Sequence, residues 1–146
     1  MIDEVDKKII NVLNDHGDAS TRDISDLTGI PASTVHQRKQ RLEENNIIQR
    51  YTVDIDWSAI GHDFTAYVVM TVDLSQLRRQ GSKQSDLVVS LESIDEVENA
   101  VIVTGSFDII LFVRAANKHR FNDVLQDDVQ ALSGVSDTTT LLVLDE

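Results

Sequence analysis

Residues 20 to 46, Ser-Thr-Arg-Asp-Ile-Ser-Asp-Leu-Thr-Gly-Ile-Pro-Ala-Ser-Thr-Val-His-Gln-Arg-Lys-Gln-Arg-Leu-Glu-Glu-Asn-Asn, read as two short helices hinged at Gly29. Ser20 and Asp23 form a capping box with Asp in place of the usual Glu or Gln, opening a helix whose core residues are Ile24 and Leu27. Gly29 suits a left-handed position after that helix, and Pro31 pre-sets the backbone for the next one. The second helix buries Val35 and Leu42, seven residues apart, and Asn45-Asn46 ends it. Between 31 and 42 there is no acid, although the whole chain carries a formal charge of −12. Hydroxyl, amide and guanidinium groups crowd this stretch, the side-chain types that meet base edges and phosphates. A helix-turn-helix is the expected motif.

The N-terminal end of such a recognition helix enters the groove first, which nominates Ser33, Thr34, His36 and Gln37. Arg38 and Arg41 are three apart and lie on neighbouring lines of the helix. One could reach phosphate or guanine while the other pairs with an acid of its own domain; a solvated face with incidental charge is the plainer alternative. Arg22 and Arg50 are candidates for backbone phosphates.

Around this motif the patterning is regular. Val5, Ile9, Ile10, Val12 and Leu13 have helical spacing, with Asp3, Glu4 and Asp6 in the first turn where the helix dipole favours acids. Ile47 to Asp56 reads as a short strand pair or wing. From Phe64 the period becomes two: Phe64, Ala66, Val68, Met70, Val72 and Leu74 alternate with the residues between them. A helix on Leu87, Val88, Leu91 and Ile94 follows Gly81-Ser82. Strands are then expected over 97–104 and 107–114, a helix from Asn117 through Leu132, and a last strand over 135–144. The order β-α-β-β-α-β is the ferredoxin-like plan. Its two helices cover one face of the sheet; Tyr67 and Val69 fall on the other, and a second copy of the sheet is the simplest cover. The expectation is therefore an α+β homodimer with domains at 1–56 and 64–146, joined by a linker at 57–63.

Composition excludes several classes. The chain has no Cys, and its four His are scattered with none paired at i, i+4, so neither disulfides nor a metal centre is expected. No phosphate loop or convergent acid/base set is present. Asp127 and Asp128 are adjacent helix positions, about 100° apart, and make no catalytic pair. The chain is expected to be neither an enzyme nor in need of a cofactor. No apolar run approaches 18 residues, so a cytoplasmic address without a membrane partner is the expectation. Asp dominates the acid excess, 18 Asp and 7 Glu against 5 Lys and 8 Arg, the texture of a halophilic protein hydrated in a salt-rich cytoplasm. Residues 1–55 carry a charge of −3 and 56–146 carry −9, which leaves the N-terminal third as the place for a polyanion.

In order and spacing, several segments together resemble the Lrp/AsnC (feast/famine) transcriptional regulators. They are Asp6-Lys-Lys-Ile-Ile, Gly29-Ile30, Ser33-Thr34-Val35, Arg38, Arg41-Leu42-Glu43, Ile47-Ile48 and Tyr51, then Thr104-Gly105-Ser106-Phe107-Asp108 and Leu132-Ser133-Gly134-Val135 leading to Thr138-Thr139-Thr140. The likeness spans essentially the whole chain. It implies a winged helix-turn-helix followed by a ferredoxin-like (ACT-like, or RAM) domain, and a homodimer or octamer that binds pseudo-palindromic promoter DNA. It also implies an amino-acid effector at a subunit interface, held by Thr104, Gly105, Ser106, Phe107 and Asp108 with Thr138 and Thr140 of an adjacent subunit. Glycine would let the ligand approach the backbone, and Asp108 could pair with its ammonium. Three departures from the family pattern stand out. Pro31 replaces a capping Ser and Asn46 replaces Gly. Lys39 occupies a usually aliphatic position, where its stem would pack while its ammonium reaches out or meets phosphate.

Overall fold

The computed structural model describes residues 1–144; the last two residues of the expected second domain lie outside the described residues. The chain divides into two compact units, Met1–Ile55 and a second beginning at Asp56.

In the first unit, helices α1 (Glu4–Asp15), α2 (Thr21–Thr28) and α3 (Ala32–Glu44) pack around Ile9, Ala19, Ile24, Val35 and Leu42. Each helix end has a local cause. Asp3 caps α1 through the backbone N–H groups of Val5 and Asp6, and the Ser20–Asp23 capping box opens α2 as its spacing predicts. Gly29 closes α2 at φ 72°, and Asn46 adopts φ 54° after α3. Pro31 stands one residue before α3 and supplies no side-chain cap.

Two expectations fail here. Leu27 is 63% exposed rather than core, because α2 turns its Thr21–Ile24–Thr28 side inward, and Thr28 closes onto the Ile24 carbonyl at 2.6 Å. The strand pair expected over 47–56 is not formed: no ladder runs through this segment, which is extended and exposes Tyr51, Val53 and Ile55. A strand needs a neighbour to satisfy its N–H and C=O groups, and this unit offers only the end of α1. There the Thr52 carbonyl passes so close to Gly17 that an added Cβ would sit 3.3 Å from it. The two segments border an open cleft of about 700 Å³ lined by Ile10, Leu13, Ile48, Tyr51 and Val53, among others.

The second unit contains strands β1 (Phe64–Val72), β2 (Val97–Ile102), β3 (Ile109–Ala115) and β4 (Val135–Leu142) in one antiparallel sheet, order β2-β3-β1-β4. Helix α5 (Gln84–Glu92) and helix α6 (Lys118–Asp123), prolonged by a π-helical stretch Val124–Val129, pack on one face. A short helix α4 (Leu74–Arg79), absent from the hydropathy reading, follows β1 directly because Asp73 caps it through the Gln76 N–H. A short 3-10 turn, Ser58–Ile60, precedes β1. The α+β, ferredoxin-like plan is thus present.

Its core is Ala66, Val68 and Met70 of β1, Ile109, Leu111 and Val113 of β3, and Leu87, Leu91, Phe121, Val124 and Val129 from the helices. Each fully buried aliphatic side chain contributes roughly 1.5–3 kcal/mol. The opposite face carries Tyr67 and Phe112 with rings 4.9 Å apart, beside Val69 and Ile110, with half-exposed Val101 and Leu141 further out. Arg114, 8% exposed, lies on this face between Glu98 (2.7 Å), Thr65 (3.0 Å) and the ring of Trp57.

Candidate nucleic-acid interface and ligand turn

Helix α3 is held against α1 by charge as well as by its apolar stripe. Asp6 lies on the buried line of α1, three and seven residues before Ile9 and Leu13, and its side chain is 0% exposed. Arg41 Nη2 donates to Asp6 Oδ2 at 2.7 Å, and Arg38 Nη1 reaches both Asp6 oxygens at 3.3 Å and Asp3 Oδ2 at 2.6 Å. Asp6 Oδ2 also accepts from the Asp3 backbone N–H at 3.0 Å. The Asp6 backbone N–H, which donates to Asp3 Oδ1 at 3.0 Å, and the Arg38 guanidinium hold the Asp3 carboxyl down at a pKa of about 2, and Asp3 in turn raises that of Arg38.

Lys39 is also engaged. Its Nζ stands 4.8 Å above the Tyr51 ring, and the Tyr51 hydroxyl donates to Glu43 Oε1 at 2.5 Å. Desolvation, then Glu43, pushes the Tyr51 phenol far above its ordinary range. All three cations of α3 are therefore committed inside their own unit.

What remains outward on the first half of α3 is neutral; the exposed acids Glu43 and Glu44 lie at its end. Ser33, His36 and Gln37 are exposed and Thr34 is half-buried, all near the helix start. Arg22 is exposed and only loosely paired, 4.0 Å from Asp26. Arg50 is exposed in the extended segment and makes no ion pair among the described residues. Residue spacing allows one of Arg38 and Arg41 to pair with an acid of its own domain; in the structure both do, on Asp6 and Asp3. The available signal was an acid, Asp6, at a position where the apolar stripe of α1 faces an acid-free helix.

The second candidate site is the turn between β2 and β3. Val103 N–H donates to the Asp108 carbonyl at 2.8 Å and Asp108 N–H to the Met70 carbonyl at 2.9 Å. Asp108 Oδ2 accepts from the Val72 backbone N–H at 2.8 Å, where the β1–β4 register breaks between Thr71 and Val72. The carboxylate thus stands in for a ladder partner on the β3 side, where the pairing with β1 ends at Met70 and Ile109. Thr104, Gly105 (φ 133°), Ser106 and Phe107 are exposed at the tip.

Thr138 and Thr140 pair with Met70 and Val68 on the far side of β1, and Thr138 Oγ1 accepts from Gln130 Nε2 at 2.8 Å. Two strand spacings, about 10 Å, separate Thr138 from the turn side of β1, so one chain does not bring the two groups into one pocket. Among the described residues no cluster of His, Asp and Glu could hold a metal ion, and no helix is long and apolar enough to cross a membrane.

Comparison with known proteins gives the same division. Residues 2–49 match the family model described as winged helix-turn-helix DNA-binding, and residues 65–146 match that of the Lrp/AsnC ligand binding domain. The HTH-type transcriptional regulator FL11 of Pyrococcus horikoshii is 33% identical over 98% of this chain and 89% of its own length. Its Pyrococcus furiosus counterpart is 31% identical over 99% of this chain and 90% of its own length. Among solved structures, the feast or famine regulatory protein of M. tuberculosis complexed with L-methionine superposes with a TM-score of 0.87 at 28% identity, covering 100% of this chain and 94% of that one. A transcriptional regulator–L-Met complex from Neisseria meningitidis has the same fold, with a TM-score of 0.88 at 22% identity over 100% of this chain and 92% of that one.

Proposed function

Because the chain belongs to the Lrp/AsnC family of transcriptional regulators, we propose that it works as a sequence-specific homodimer whose DNA affinity or assembly is coupled to an amino acid. The observation that carries this reading is the outward face of α3: hydroxyl, imidazole and amide groups on a helix whose cations are anchored behind it. Ser33, Thr34, His36 and Gln37 read base edges, while Arg22 and Arg50 hold phosphates. Arg38 and Arg41 serve chiefly to fix the angle of α3 on α1 and add positive potential from behind. The open sheet face around Tyr67 and Phe112 supports dimerisation through a second copy. Dimers could assemble further into octamers.

The effector site is the Thr104–Asp108 turn, completed by Thr138 and Thr140 of an adjacent subunit. The L-methionine complexes of related proteins support an amino acid as ligand, and the Asp108 carboxylate suits its ammonium. A DNA partner places the protein in the cytoplasm, and the Asp-rich surface suits one rich in KCl. On that reading the melting temperature rises from low salt to molar KCl.

Two measurements test the core of the proposal. Gel shifts on mapped promoter fragments should show sequence-selective binding that Gln37→Ala redirects. Calorimetry with the twenty amino acids, L-methionine first, should give heat and a change in assembly. No heat with any of them removes the effector.

A further inference from the structure

The two flanks of α3 are closed by different chemistry. Val35 and Leu42 define its buried line, and successive positions turn by about 100°. Arg38 and Arg41 fall on the side of that line that meets α1. Lys39 and Glu43, four apart and so stacked one above the other, fall on the opposite side, with His36 one turn before them. Tyr51 closes this second flank. Its hydroxyl donates to Glu43 Oε1 at 2.5 Å while Lys39 Nζ stands 4.8 Å above its ring, so one side chain spans a full turn of the recognition helix. Desolvation and the Glu43 carboxylate keep the phenol protonated, and it remains the donor.

The segment that carries Tyr51 has little else to hold it. The N–H groups of Ile47 and Ile48 donate to the Leu42 carbonyl at 2.9 and 3.1 Å, and Ile48 packs on the core of the unit. Beyond Ile48 no strand ladder supports the chain, and the next close approach is that of the Thr52 carbonyl to Gly17. Gln49, Arg50 and Tyr51 lie between these two points, all exposed. Arg50 makes no ion pair among the described residues. Consecutive Cα atoms are about 3.8 Å apart, so a Tyr51 held on α3 confines the Arg50 backbone to the same flank. Both Tyr51 contacts are exposed and add little to stability; what they fix is position. A cation on a pinned backbone loses less entropy on meeting a phosphate than one on a loose tether.

We propose that Tyr51 is a positioning residue for DNA binding: by bridging Lys39 and Glu43 it fixes the extended segment on α3 and presents Arg50 to a phosphate beside the bases that α3 reads. The inference rests on α3 reading DNA and on Arg50 as a phosphate contact. Its test follows the affinity of the full chain for one mapped promoter duplex against KCl, in the wild type, Arg50→Ala, Tyr51→Ala and the double variant. Arg50→Ala should lower the log–log slope by about 0.9 in the wild type. Tyr51→Ala alone should lower it by a similar amount, and adding Arg50→Ala to it should change the slope no further. Tyr51→Phe keeps the ring and removes only the bond to Glu43; it should weaken the coupling in part, and it carries the test if Tyr51→Ala does not fold. Gln37→Ala should redirect sequence preference in either background, because α3 still reads bases. Equal slope losses from Arg50→Ala with and without Tyr51 would overturn the proposal, as would an Arg50→Ala that leaves the wild-type slope unchanged. A wild type without sequence-selective binding would overturn the DNA reading itself, and the inference with it.

Discussion

Asp6 and Arg41 are 35 residues apart and meet at 2.7 Å, joining the first turn of α1 to the last turn of the recognition helix. The carboxylate is fully buried while the Arg41 side chain is 43% exposed, so the pair has one end toward solvent. Arg38 closes the same network through Asp3. Removing the buried member leaves Arg41 without its carboxylate and Arg38 with Asp3 alone.

Asp6→Ala is therefore expected to destabilise the N-terminal unit by about 3 kcal/mol, the lower end for a broken buried pair because both arginines can turn to water. Urea unfolding followed by a probe in that unit checks this. Arg22→Ala, on an exposed and loosely paired residue, should leave the same transition in place.

Acid should loosen the same corner. The Asp3 carboxyl titrates near 2 in the folded chain, against about 3.8 when unfolded. A lowered folded pKa means stability that is complete above the unfolded value and disappears as the pH falls from about 4 through 2. Asp3→Asn should remove this part of the acid dependence; a pH series of thermal melts reads it directly.

Base reading and phosphate contact should separate by salt. Arg50→Ala and Arg22→Ala are each expected to lower the log–log salt slope by about 0.9 on any duplex. Gln37→Ala should keep the slope and cost about 1–3 kcal/mol only at the base it contacts. Fluorescence anisotropy at several KCl concentrations distinguishes the two patterns.

Asp108 has a structural role and, in the proposed function, a ligand role as well, and two substitutions divide them. Asp108→Ala leaves the Val72 N–H without its acceptor and should cost about 1–3 kcal/mol of stability. Asp108→Asn retains an acceptor oxygen and should be close to wild type in stability, yet it removes the charge an amino-acid ammonium would meet. Loss of L-methionine heat in Asp108→Asn, without loss of fold, is the expected result.

Gly134 tests the fold apart from function. It is buried at φ 96°, and an added Cβ would fall 2.8 Å from Leu77 Cγ. Gly134→Ala should destabilise by more than about 1 kcal/mol, measured by thermal melting.

Local chemistry made much of this legible in the residues alone. The Ser20–Asp23 box, Gly29 and Asn46 set their turns through their own φ preferences and short-range hydrogen bonds. The period-two run from Phe64 needs only alternation to become a strand with one buried face, and the βαββαβ order follows from counting such runs. Where the outcome depended on a distant partner, the chain by itself was silent or misleading. Leu27 has core spacing but no neighbour to cover it, and Tyr51–Ile55 has strand character but no strand beside it. The roles of Arg38, Arg41 and Asp108 were decided by contacts spanning 32 to 36 positions, which exist only once α1 meets α3 and β1 passes the 103–108 turn. Periodicity encodes which face is buried. Only packing decides which charge waits on the other side.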